Sequence, residues 1–254
     1  MLILLSPSKT IKISQSGFIT ETTLPDFLKQ SGKIVKTLKR FSFDDLQKLL
    51  NTSRPLTQTA MDYYQLWNRE HTSQRSCPAI LAFQGEAYSG FRAEEMSNDT
   101  LLYAQQKLLI FSGLYGVLRP LDLIQPYRLD VADSILIDDK NLYHFWKNPI
   151  TLWIKKQFKM QGDNTIINLA SKEYFKMLDQ KKLNCEIVTP VFKDRIGDEY
   201  KIVSVFAKQS RGKMARFILE NKITDADSLK FYEKDSYFFN EKMSTNNQFV
   251  FTRG

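Results

Sequence analysis

Residues 2–5 form a continuous apolar run, Leu-Ile-Leu-Leu, that stops at Ser6-Pro7. That is the pattern of a short strand buried on both faces. Beyond a polar loop, Leu24-Pro25-Asp26 opens a helical pattern in which Phe27, Leu28, Ile34, Val35 and Leu38 recur, with Pro25 suited to a first turn. Ser42, followed by Asp44 and Asp45, caps a second helix that runs to Leu50. Residues 54–67 read as a third helix, amphipathic and rich in aromatics. A second buried strand is expected at 79–83, leaving into Gln84-Gly85-Glu86. Residues 98–106 look helical. The apolar run 108–111 either finishes that helix or starts a strand, because so short a stretch has no usable period.

Strands are also expected at 134–137 and 165–169, on either side of an aromatic helix over 142–160. Residues 186–192 and 200–207 flank the turn Asp194-Arg195-Ile196-Gly197-Asp198, which gives the best hairpin signal in the chain. A basic amphipathic helix over 211–222 follows, and 237–240 and 248–252 close the chain as strands. Strands and helices alternate irregularly and one hairpin is antiparallel. The pattern therefore predicts an α/β (mixed α+β) fold, a mixed, partly antiparallel sheet surrounded by helices, over a doubly wound parallel sheet. With no internal repeat and no linker rich in Gly, Pro or Ser, one domain is expected over residues 1–254.

Composition changes this picture in only one direction. The 36 Lys and Arg against 28 Asp and Glu leave a net charge of +8, which invites a polyanionic partner without saying anything about fold. Apolar residues at 43% and charged residues at 25% exclude collagen-like, disordered and disulfide-scaffold chains. Cys77, Cys185, His71 and His144 are scattered, with no spacing that suits zinc, an iron–sulfur cluster or a redox pair. No metal and no cofactor are expected. Both histidines read as structural and both cysteines as core thiols. The opening apolar run is too short for a signal peptide or a membrane span, and few cysteines fit a reducing compartment. A cytoplasmic protein without a membrane partner is the expectation.

Several segments carry candidate chemistry. In Ser112-Gly113-Leu114-Tyr115-Gly116-Val117-Leu118-Arg119-Pro120 two glycines three apart suggest a tight turn whose amides, with Arg119 alongside, can hold a phosphate. Pro120 would begin the next helix, so the segment resembles a helix-hairpin-helix module. The plainer reading is a turn whose glycines serve packing. Lys208, Arg211, Lys213 and Arg216 crowd the expected start of a helix capped by Ser210, an unfavourable dipole arrangement unless an anion sits there. Ser6-Pro7-Ser8-Lys9-Thr10 and Asn168-Leu169-Ala170-Ser171 each leave a strand with polar side chains, though without the glycines of a nucleotide-binding loop. Arg128 beside Tyr127 adds a cation with an aromatic neighbour.

Taken in order, LILLSPSKT, AILAFQGEAYSG, FSGLYGVLRPLDLIQPYRLD, INLASKEYFK and AKQSRGKMARFILEN closely resemble the peroxide stress resistance protein YaaA family, over essentially the whole chain. The resemblance implies a bacterial cytoplasmic protein that protects DNA from iron-driven oxidative damage. It also implies a single mixed α/β domain with a helix-hairpin-helix element and a basic cleft that binds DNA. The residues standing in the matching motifs are Lys9, Gly113, Gly116, Arg119, Arg128, Lys208, Arg211, Lys213 and Arg216. Duplex or distorted DNA is the expected partner, held by its backbone without strong sequence preference, and no obligate protein partner is expected. The alternative is an enzyme or small-ligand protein in which Ser6, Lys9, Asn168, Ser171 and Arg211 converge on a phosphate- or nucleotide-containing molecule. No catalytic constellation is recognised, and enzymatic activity stays an open question.

Overall fold

The computed structural model describes residues 1–13, 21–72 and 74–254. The polar loop expected after the first strand lies partly outside them. Eight strands build the main sheet: β1 (Leu2–Leu5), β2 (Leu108–Ser112), β3 (Gly116–Leu118), β4 (Thr165–Asn168), β5 (Glu186–Ile196), β6 (Glu199–Lys201), β7 (Phe238–Phe239) and β8 (Gln248–Arg253). Their spatial order is β7-β8-β5-β4-β1-β2-β3, with β6 folded back onto β5. β8, β5, β4, β1 and β2 are mutually parallel, while β3, β6 and β7 pair antiparallel at the rims. The mixed α/β class holds, with a centre more parallel than the irregular alternation suggested. β1 has a parallel neighbour on each side and its four side chains are at most 1% exposed, which is why that run is apolar without alternation.

The principal helices are α1 (Leu28–Leu38), α2 (Phe43–Leu50), α3 (Arg54–Leu66), α4 (Glu86–Phe91), α5 (Asn98–Lys107), α6 (Leu142–Gln161) and α7 (Ser204–Glu220). Ser42 accepts the Asp45 N–H at 3.2 Å, as its position before α2 predicts. α7 packs on β5, β1, α5 and above all α4. There the two helices touch backbone to backbone. A Cβ on Gly212 would stand 1.8 Å from the Ala87 carbonyl oxygen, and one on Gly90 would stand 2.2 Å from that of Gln209.

Four local expectations change. Of residues 79–83 only Phe83 is extended, in the short strand Phe83–Gln84 paired with Thr10–Ile11. Ala79–Ala82 makes a single helical turn whose first amides donate to the carbonyls of Asp122 and Pro120 at 2.9 and 3.0 Å. An apolar run of this length is buried in either conformation, so only tertiary partners decide it. Of the strand expected at 200–207, only Glu199–Lys201 forms, because α7 begins at Ser204. The stripe Ala207, Met214, Ala215 and Ile218 is at most 4% exposed, and its burial outweighs the β-propensity of Val205 and Phe206. The Gly113–Gly116 turn joins β2 to β3, so this segment is a β-hairpin and not a pair of helices; Pro120 sits in a turn, not at a helix start. At 134–137 only Leu136–Ile137 is extended, paired with Lys140–Asn141.

Candidate functional site

β1 and β4 lie side by side and parallel, yet the next sheet strand after β1 is β2, on one side, and the next after β4 is β5, on the other. In open α/β sheets such a reversal leaves a crevice outside the carboxyl ends of the two strands. The Ser6 loop and the Ser171 loop meet there. Ser6 Oγ accepts the Ser171 N–H at 2.8 Å and donates to Ser171 Oγ at 3.3 Å. Asn168, 6% exposed, accepts the Ala170 N–H on its side-chain oxygen at 3.1 Å and donates weakly to Thr189 at 3.4 Å. Three residues of the predicted small-ligand set are therefore brought to one place by strand order.

Beside this crevice, Lys9 and Arg128 line one narrow cleft with Ser8, Tyr127, Asp133 and Tyr174. Its free volume of about 20 Å³ holds roughly one water. Lys9 is exposed and reaches Asp130 at 3.4 Å, a weak tie for a surface pair. The Arg128 backbone carbonyl accepts a hydrogen bond from the buried Tyr64 hydroxyl, and its side chain makes no ion pair among the described residues. Asp133 accepts the Asp130 N–H at 2.7 Å. Burial, with the nearby Asp130 charge, pushes its pKa up to about 6 despite that hydrogen bond and despite Lys9 and Arg128. Asp130, Asp133 and Tyr174 were not picked out as site residues in the sequence. The Arg128-Leu129-Asp130 run was the available signal, and it drew attention for its cation alone.

The basic helix is arranged differently from the sequence expectation. Ser210 is no cap; it sits in the middle of α7, 1% exposed. The crowding of cations at a helix start therefore dissolves, with only Lys208 in the early turns, exposed and unpaired among the described residues. Lys213 is bound to Asp235, and Arg216 to Glu220 at 2.8 Å and to Glu95 at 3.0 Å. Arg211 is half-buried and makes no side-chain hydrogen bond or ion pair among the described residues, and burial pushes its pKa down.

Gly113, Gly116 and Arg119 are placed for packing. Both glycines are buried. A Cβ on Gly113 would stand 2.6 Å from the Leu129 carbonyl oxygen, and one on Gly116 2.7 Å from the Trp146 ring. Arg119 follows β3 back toward the amino edge of the sheet, paired with Asp122 at 3.2 Å and Asp26 at 3.7 Å. His71 shares the Tyr115 hydroxyl at 3.1 Å, and burial lowers its pKa. His144 sits over its helix cap Asn141 at 2.9 Å. Cys77 is buried, and the Cys185 thiol is pushed up to about 11 by burial. Among the described residues no group of three or more His, Cys, Asp or Glu is placed to hold a metal ion, and no helix is long and apolar enough to cross a membrane. A cavity of about 580 Å³ near Thr165, Asp225 and Lys230, at the amino edge, contains none of the predicted residues.

Comparison with known proteins covers the chain nearly end to end. The family model described as peroxide stress protein YaaA matches residues 1–243. A relative from Saccharophagus degradans, described as a UPF0246 protein, is 42% identical over 254 residues, covering 100% of this chain and 99% of its own.

Proposed function

The chain belongs to the peroxide stress protein YaaA family, and from that premise we propose that it acts in the peroxide stress response by binding the phosphate backbone of DNA. The observation that supports this most directly is the meeting of Lys9 and Arg128, from two distant segments, at one cleft on the carboxyl edge of the sheet. Lys208, exposed on the early turns of α7 and unpaired among the described residues, is a third candidate cation. Contacts of this kind position a duplex without reading its sequence. They suit recognition of DNA shape or damage, and so the shielding of DNA from iron-driven oxidation. Gly113, Gly116 and Arg119 are left out of this surface, being engaged in the interior or with carboxylates.

Affinity for intact and distorted duplexes, measured between about 50 and 200 mM salt, tests the proposal. The logarithm of the binding constant is expected to fall steeply with salt. Replacing Lys9 and Arg128 together by Gln is expected to flatten that slope by about 2, one for each lost phosphate contact. A slope that the double substitution leaves unchanged contradicts the assignment.

A further inference from the structure

Arg211 occupies an unusual place for a cation. It lies three or four residues from Ala207, Met214 and Ala215 and seven from Ile218, at the centre of the buried stripe of α7. Elementary dimensions give its level along the sheet. Ile218 lines a cavity with Met1 and Ile3, at the amino end of β1. Seven residues back along a helix is about 10 Å, and three residues forward along a strand is also about 10 Å. Arg211 thus comes level with the carboxyl end of β1, between Leu4 and Ser6. An independent contact agrees: Gly212 abuts Ala87, and the adjoining Tyr88 donates its hydroxyl to the Ser6 carbonyl at 2.9 Å. Helical side chains lean toward the helix N-terminus, which here is toward the carboxyl edge.

Among the described residues no carboxylate pairs with this guanidinium. Burial alone sets the direction of its pKa, with no acidic neighbour pulling the other way. A half-buried cation loses part of its hydration, and a neutralising anion would offset that cost. Neutral donors stand at the same crevice. Ser171 Oγ accepts from Ser6 Oγ and from the Tyr174 N–H, which leaves its own hydrogen uncommitted. Among the described residues the Asn168 amide holds one weak partner, Thr189. A guanidinium fork by itself satisfies a planar carboxylate, whereas donors arriving from further directions suit a tetrahedral oxyanion.

We propose that the crevice between the carboxyl ends of β1 and β4 binds a small phosphate-bearing molecule, with Arg211 as its principal anion contact and the Ser171 hydroxyl and Asn168 amide beside it. The site adjoins the Lys9–Arg128 cleft through Tyr174 but uses other side chains, and it stands or falls without the DNA reading.

Calorimetric titration of the full chain at constant ionic strength, with inorganic phosphate, adenosine monophosphate, acetate and a short duplex in separate arms, tests this. Phosphate and the monophosphate are expected to saturate a single site and acetate to show none. Arg211→Met is expected to weaken phosphate binding about tenfold or more, and to raise the melting temperature of the ligand-free protein. Arg211→Lys keeps the charge without the fork and is expected to bind phosphate more weakly than the parent. Substituting Lys9 and Arg128 by Gln is expected to weaken the duplex arm more than the phosphate arm. Absence of saturable phosphate binding, or phosphate affinity equal to the parent in both Arg211 variants, overturns the proposal. So does a lower ligand-free melting temperature in Arg211→Met, which marks the guanidinium as a structural brace. A response to Arg211→Met confined to the duplex arm reassigns the residue to DNA and overturns it too.

Discussion

Arg119 holds Asp122 at both carboxylate oxygens: its Nη2 stands 3.2 Å from one, and its backbone N–H donates to the other at 2.8 Å. Asp122 is 1% exposed, so burial pushes its pKa up while the guanidinium draws it back. Thr23 donates to the same carboxylate, tying the segment before α1 to the end of β3. Removing one partner strands the other. Arg119→Met is expected to destabilise the fold by about 3 kcal/mol, read as a lower urea midpoint with unchanged slope. Measured on the folded fraction, DNA affinity is expected to stay the same.

Gly116 adopts a φ of +73°, and its missing Cβ makes room for the Trp146 ring. An alanine there meets both a disfavoured backbone conformation and a rigid ring that itself donates its indole N–H to the Gly113 carbonyl at 2.9 Å. Backbone strain and overpacking together predict a loss of about 2–4 kcal/mol for Gly116→Ala. Chemical denaturation monitored by tryptophan fluorescence checks it; a change within about 0.5 kcal/mol contradicts the packing role.

Asp133 titrates near 6 in the folded chain, above its ordinary value of 3.8. Between those two pH values the folded chain holds a proton that the unfolded chain has lost, so stability declines as pH rises through that window. Asp133→Asn is expected to remove this decline. At neutral pH it is expected to stabilise the protein by about 1–2 kcal/mol, an amount reduced for partial exposure. Melting curves across that pH range decide the matter, and parallel curves for parent and variant would refute it.

The outer cations of α7 offer a contrast within one element. Lys213 and Arg216 are already engaged by Asp235, Glu95 and Glu220. Replacing both with Gln is expected to leave the salt dependence of DNA binding unchanged, while replacing Lys208 lowers its slope by about 1. Filter-binding titrations over a salt series distinguish the two, and a flattened slope in the Lys213/Arg216 variant would place phosphates on that face.

Features set by near neighbours were legible in the chain, and features set by distant ones were not. The continuous apolar run of β1 and the Ser42 cap follow from local pattern, and both appear where expected. The polar loops after β1 and β4 are the exception: their shared strand-to-loop chemistry puts Ser6, Asn168 and Ser171 in one expected small-ligand set, and strand order brings Ser6 and Ser171 into hydrogen-bond contact. Residues 79–82 form a helical turn because Asp122 and Pro120 capture the Ala79 and Ile80 amides, and nothing within the run reveals this. The charge of Lys213 is cancelled by Asp235 and that of Arg216 in part by Glu95, both remote in sequence. Gly212 read as one residue within a basic cluster; its purpose is visible only once Ala87 lies against it.

The placement of β1 also bears on how the chain reaches this state. Ile3 pairs with Leu108 on one side and Leu2 with Ile166 on the other. This interior strand is therefore synthesised before both of its neighbours, so each of its two edges closes only across a long loop, the first of about 100 residues and the second of about 160. During translation both edges of this apolar tetrapeptide stay unpaired until residues 108–112 emerge, and the second edge until residues beyond 160 do, a period in which transient shielding by chaperones would govern yield more than final stability does.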